Sequence, residues 1–210
     1  MKKLLALIPL IYFLYTVPAN AQVGLQVGAV ASPDYAFVPY DSLGKVSGAI
    51  GFTVGVFYKY WLTDHVSIQP ALNFLNKRWW EELDDGGTFY ITRVSMNYIE
   101  LPVQAVFTAK KTKGFFVGGG PSLMLGLSGE RTVTEEGNVI EEDELKPGTE
   151  SAPEKKMTVA VNVMAGYAFK RILVGLNYSK GITNQPANDD ANHGNVSNVN
   201  LRISVLFGKQ

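Results

Sequence analysis

The tightest constraint on the fold lies in two adjacent segments, Asn97–Phe107 and Gly114–Leu127, joined by the basic turn Ala109–Lys113. In the first, Ile99, Leu101, Val103, Ala105 and Phe107 alternate with Glu100, Pro102 and Gln104, the period-two pattern of an extended strand. In the second, Phe115, Val117, Leu123, Leu125 and Leu127 share one face, and Phe116, Gly118, Gly120, Ser122, Gly126 and Ser128 share the other. The pair reads as a hairpin with one apolar face. Its other face carries Gly, Ser, Asn and Gln rather than the Lys, Glu and Thr of a solvated sheet. That composition suits a cramped interior and turns the apolar face toward lipid. Pro102 and Pro121 sit badly in such strands, because proline favours an edge.

The same alternation recurs along the chain. Strands are expected over 23–31, 46–62, 66 to about 80, about 89–108, 114–128, 157–169, 172–182 and from 195 to the end. In the fourth, Val94 and Met96 fall on the wrong parity, which suggests a bulge. Glu81–Thr88 reads as a polar loop, and 129–156, acidic and without apolar periodicity, as a long irregular one. Eight strands joined by alternately long and short connections are the mark of an all-β, antiparallel, up-and-down transmembrane barrel with short periplasmic turns.

Charge divides in the same way. Of the 19 acidic residues, all but Asp64 and Glu100 fall in the long connections, whereas Lys110, Lys111, Lys113, Lys170 and Arg171 occupy the short turns. Tyr58, Tyr60, Phe107, Phe115, Tyr167, Phe169 and Phe207 gather at the turn ends of strands, as an interfacial girdle would.

Met1-Lys-Lys followed by the apolar run Leu4–Val17 and by Ala19-Asn-Ala21 has the layout of a cleaved export signal. Residues 1–21 are therefore expected to be removed, leaving 22–210 as one barrel domain. No Cys is present, which excludes disulfides and thiolate metal sites, and the near balance of 19 basic and 19 acidic residues gives no sign of nucleic-acid binding.

The motifs Tyr98-Ile-Glu-Leu-Pro-Val-Gln104, Phe116-Val-Gly-Gly-Gly-Pro-Ser-Leu123, Leu176–Asn184 and the final Val205-Leu-Phe-Gly208 together resemble the PorT-like outer membrane β-barrel family. The resemblance spans essentially the whole mature chain. It implies an eight-stranded barrel in the outer membrane of a diderm bacterium; the member that names the family is associated with protein secretion.

An eight-stranded barrel has a lumen filled by side chains rather than an open pore. Glu100 is the only strand carboxylate at an inward position, with Lys59, Lys77 and Arg202 in the same phase, so a structural polar cluster of Glu100, Arg202, Lys59 and Gln104 is expected, Glu100 pairing with Arg202 or Lys59. No catalytic, cofactor or metal site is expected. His65 and His193 belong at opposite ends of the barrel, and the oxygen-rich 188–195 segment lacks the carboxylate spacing of an EF-hand loop. Expected partners are outer membrane lipids, including lipopolysaccharide, and a protein that meets the external loops. Two alternatives stay open: a soluble lipocalin-like carrier with the apolar face turned inward, and an outer membrane enzyme that modifies lipid.

Overall fold

The computed structural model describes residues 21–32, 45–110, 113–149, 155–183 and 197–208. The expected signal segment up to residue 20, most of the first and last long connections, Lys111 and His193 lie outside the described residues. Nine strands are present: β1 (Ala21–Ala31), β2 (Lys45–Trp61), β3 (Val66–Asp85), β4 (Thr88–Thr108), β5 (Lys113–Glu135), β6 (Asn138–Leu145), β7 (Met157–Phe169), β8 (Ile172–Gly181) and β9 (Ser197–Phe207). Eight of them close an antiparallel ring in which β1 pairs with both β2 and β9 and β5 pairs with both β4 and β7, while β6 lies outside the ring on β5. Closure leaves no open sheet edge within the wall, the condition for a β-structure to cross hydrocarbon.

The alternation fixes which way each strand faces. Along β9, Leu201, Ile203, Val205 and Phe207 are exposed and Asn200, Arg202, Ser204 and Leu206 buried. Leu25 and Val27, Val54 and Val56, Leu101 and Val103, Val161 and Val163, and Leu176 face outward in the same way. A soluble carrier would bury these side chains and wet the asparagines. The structure does the reverse, which overturns the carrier alternative.

The outward surface changes character along the strands. On β3 and β4 it is apolar from Val66 to Phe74 and from Phe107 to Ile99, nine residues on each, which matches the roughly 9–11 residues a tilted strand needs to cross a bilayer. Directly above Phe74 and Ile99 the same face turns polar. Asn76 Nδ2 donates to Ser95 Oγ at 2.9 Å and to Asn97 Oδ1 at 2.8 Å, Arg78 Nε donates to Asn76 Oδ1 at 2.9 Å, and Asn97 Nδ2 donates to Ser128 Oγ at 3.3 Å. At the opposite end the expected girdle residues are found on the outside, with Tyr167 packed against Phe115 at 5.0 Å and against Phe169 at 4.6 Å between ring centroids.

Several expectations require correction. β3 continues through Glu81 and Glu82 to Asp85, and the supposed polar loop is a two-residue turn at Gly86-Gly87, both with positive φ (63° and 98°) as such a hairpin requires. The expected 129–156 loop is largely strand: β5 runs to Glu135, Glu136-Gly137 turn the chain with φ of 47° and 89°, and β6 returns to Leu145. Many acidic residues thus stand on strands that outrun the bilayer, not in irregular loops. The bulge lies on β5 rather than β4. Asn97 faces Ser128 while Tyr98 faces Gly126, so Leu127 is the extra residue and Ser128 is thrown outward. β4 keeps its alternation unbroken, and Val94, Met96 and Tyr98 simply point inward.

The prolines also find their place. The β3–β4 ladder skips between Pro70–Val103 and Asn73–Glu100, and the β4–β5 ladder skips between Pro102–Ser122 and Ala105–Gly119. These prolines stand beside gaps in the pairing, where a residue without an N–H costs least.

Candidate functional site

The lumen is layered, which the expected polar cluster around Glu100 does not by itself anticipate. Next to the short turns lies an apolar layer of Phe57, Val106, Phe116, Ala168, Leu173 and Leu206. At the far end, under the extended strands, Val30, Leu75, Trp79, Met96, Tyr98 and Leu145 belong to a second apolar cluster. Leu145 comes from β6, so the external hairpin itself helps to close the mouth. Aromatic and aliphatic inward residues were legible by parity alone, since Phe57, Phe116 and Leu206 all share the inward phase of their strands.

Between the two apolar layers sits the polar centre. Asn73 Nδ2 donates to Glu100 Oε2 at 2.9 Å, Gln26 Nε2 donates to Asn73 Oδ1, and Arg202 Nη2 reaches Glu100 Oε2 at 3.5 Å. Glu100 is 1% exposed and Arg202 8%, so the two charges have little beyond each other and Asn73 to stabilise them, and among the described residues Glu100 Oε1 and Arg202 Nε have no hydrogen-bond partner. Gln104 joins the same layer through Asn177, its Nε2 donating to Asn177 Oδ1 at 2.9 Å. A cavity of about 30 Å³ adjoins Gln26, Gln69, Gln104, Asn177 and Arg202. That is room for water.

Lys59 departs from the expected pairing. It lies beyond the lower apolar layer, near the turn-side mouth, with its Nζ 4.2 Å from the centre of the Trp61 ring, whose Nε1 donates to Gln22 Oε1 at 3.3 Å. The structure therefore brings Glu100 to Arg202 and not to Lys59, which stands one inward position beyond the buried Phe57 on β2. Lys77, equally inward, lies 5.1 Å from the Tyr98 ring in the upper half. His65 sits at a turn, its Nδ1 3.1 Å from Thr108 O and its ring stacked on Phe107. Among the described residues no group of His, Asp and Glu is arranged to hold a metal ion.

The second candidate region is the sheet that projects past the membrane. β3, β4 and β5 are 20, 21 and 23 residues long, about twice a membrane crossing, and β6 extends this sheet by one strand. Arg131 on β5 donates through Nη2 to Glu141 Oε1 at 2.9 Å and to Asp143 Oδ2 on β6. The Asp143 hydrogen bond holds the Arg131 guanidinium above its ordinary range, and the reciprocal contact, with a further hydrogen bond to Glu141, holds the Asp143 carboxyl below its own.

A closed eight-stranded ring with an apolar belt, exposed aromatic side chains toward one rim and side chains packed in the lumen defines an outer membrane β-barrel. A family model described as outer membrane protein beta-barrel domain matches residues 16–185, and the chain belongs to that family and resides in the outer membrane. No curated protein matches the chain. Among solved structures, it is similar to Ail, the attachment invasion locus protein of Yersinia pestis, at 11% identity over 90% of this chain and 99% of that one, with a TM-score of 0.45. It is similar also to the outer membrane protein OprG from Pseudomonas aeruginosa, at 8% identity, 91% and 97% coverage and a TM-score of 0.43. A third is the translocator domain of the autotransporter NalP from Neisseria meningitidis, at 8% identity, 95% and 92% coverage and a TM-score of 0.39. The family assignment rests on the sequence model.

Proposed function

We propose that this barrel is non-enzymatic: the wall and its plugged lumen anchor the protein in the outer membrane, and the projecting acidic sheet is the surface that works, by engaging a protein at the cell exterior. The observation that carries the reading is the length of β3, β4 and β5. Crossing the membrane uses about half of each strand, and the remainder builds an ordered platform that has no counterpart among the described residues of the other wall, where β7, β8 and β9 are 13, 10 and 11 residues long. The lumen supports the non-enzymatic half of the reading, since two apolar layers seal its charged pair from both mouths. Glu100 and Arg202 then serve to fix the packing of opposite walls, with Gln104 in the same layer and Lys59 at the rim.

On the motifs 98–104 and 116–123 we place the chain with the PorT-like barrels, in an envelope or secretion-associated role, and we take residues 1–21 as a signal removed on export. Cleavage after Ala21 would leave Gln22, held by Trp61, as the first residue at the periplasmic rim. The lipid belt would rest on outer membrane lipids, including lipopolysaccharide at the external rim. Removing residues 130–154 from the full-length protein tests the proposal. The proteins that co-purify with the embedded barrel should be lost while the barrel still folds; an unchanged set would refute the platform role.

A further inference from the structure

The outermost strand of the platform has one paired edge and one open edge. β6 pairs with β5 from Gly129–Leu145 to Glu135–Asn138, and among the described residues no strand pairs with its other side. The neighbouring wall strand, β7, leaves β5 at the Leu125–Met157 pair, below the level at which β6 begins. Among the described residues, every second residue of this eight-residue strand therefore presents its N–H and C=O to an unpaired side, beside Val139 and Ile140, which are 56% and 52% exposed. Such an edge is a template for one more strand.

The side chains decide which strand. Glu141 and Asp143 share one face and are engaged by Arg131, but Glu142 and Glu144 point to the other, where Glu144 stands directly opposite Glu130. Like charges in cross-strand register disfavour the hairpin's own pairing at this position; the cations that share the face, Arg93 opposite Thr132 and Arg78 opposite Ser95, lie on the inner strands, away from the open edge. A second copy of this edge would place carboxylates against carboxylates, so self-pairing is disfavoured for the same reason. A strand carrying Lys or Arg at alternate positions would meet Glu142 and Glu144 with opposite charge while completing the backbone ladder.

We infer that the open edge of β6 accepts an extended, basic segment of a partner protein by β-strand addition. This names the partner chemistry of the platform and rests on the reading given above.

The test uses the full-length protein in nanodiscs of zwitterionic lipid at low ionic strength. The probe is a ten-residue peptide alternating Lys with Val and Thr. Its controls are the same composition with two central prolines, and a peptide with Glu in place of Lys. The basic peptide should bind saturably and slow amide exchange at alternate residues across 139–144. The combined E142K and E144K variant, at exposed positions and checked for heat-modifiable migration, should bind at least tenfold more weakly. Equal binding by the proline control would reduce the site to a charged patch and overturn strand addition, as would no binding at all or occupation of the edge by a second copy. If deleting 130–154 abolishes co-purification while the peptide fails to bind, the platform role stands and this inference alone falls.

Discussion

Glu100 and Arg202 meet at 3.5 Å across the full width of the barrel: β4 and β9 are four strands apart whichever way the ring is followed. A single buried ion pair therefore ties opposite walls together. Breaking a buried pair by removing one partner costs about 3–5 kcal/mol, because the other charge is left without compensation, whereas replacing both by neutral groups of similar volume costs much less. R202L should lower the unfolding free energy by about 3 kcal/mol, and the double variant E100Q/R202M should recover most of it. Urea unfolding followed by tryptophan fluorescence reads both. An R202L barrel as stable as the parent would remove the pair from the account.

A lumen closed by the two apolar layers, as proposed above, would not pass ions. In a planar bilayer the folded protein should show no steady conductance step, and liposomes carrying it should not swell in small sugars. A reproducible channel in either assay would contradict the packing of Phe57, Phe116 and Leu173 at one end and Trp79, Met96 and Leu145 at the other.

Phe116 reaches its place only because β7 and β8 are bare beneath it. A Cβ on Gly175 would stand 2.9 Å from the Phe116 ring and 2.8 Å from Ala165 O, and one on Gly166 would meet the ring at 2.5 Å. Overpacking of this kind costs about 1–3 kcal/mol. G175A should destabilise the barrel within that range, and F116L should cost less in the G175A background than alone. Additive costs, measured by the same unfolding series, would show that the ring does not fill this slot.

The Arg131–Asp143 contact gives the platform an acid limit. A carboxyl whose folded pKa lies below its ordinary value, near 3.8, adds stability that is present above that value and lost as pH falls through the folded one. The side-chain carboxyl carbon of Asp143 should thus keep the chemical shift of its ionised form from pH 8 to pH 5 and move only below about pH 4. Both groups are substantially exposed, so the effect is local and salt should weaken it. Movement between pH 7 and pH 5 would point to a different group.

How much of this could be read from the chain depends on what surrounds each strand. Where lipid lies on one side and a packed lumen on the other, as from Ile99 to Phe107, the period of two is clean and both the strand and its orientation are visible. Past the bilayer, both faces of Arg131–Val133 and Asn138–Glu144 touch water, the hydrophobic contrast disappears, and the bulges at Leu127 and Ile140 break the phase; these segments read as loop. A local signal was there all the same, in Gly86-Gly87 and Glu136-Gly137, turn pairs suited to two-residue hairpins. The inward phase of Glu100, Arg202, Lys59 and Gln104 follows from parity. Which of them touch does not, because contact across a lumen depends on barrel stagger and on the bulk of residues such as Phe57.

The orientation of the strands underlies every point above, and β9 allows it to be measured directly. Single cysteines placed in turn at positions 200 to 205, each carrying a fluorophore, can be read in vesicles containing brominated lipid. Labels at 201, 203 and 205 should be quenched strongly and those at 200, 202 and 204 weakly, a saw-tooth of period two. A flat profile, or one with the opposite phase, would mean that Leu201, Ile203 and Val205 do not face hydrocarbon, and the outer membrane barrel described here would be wrong.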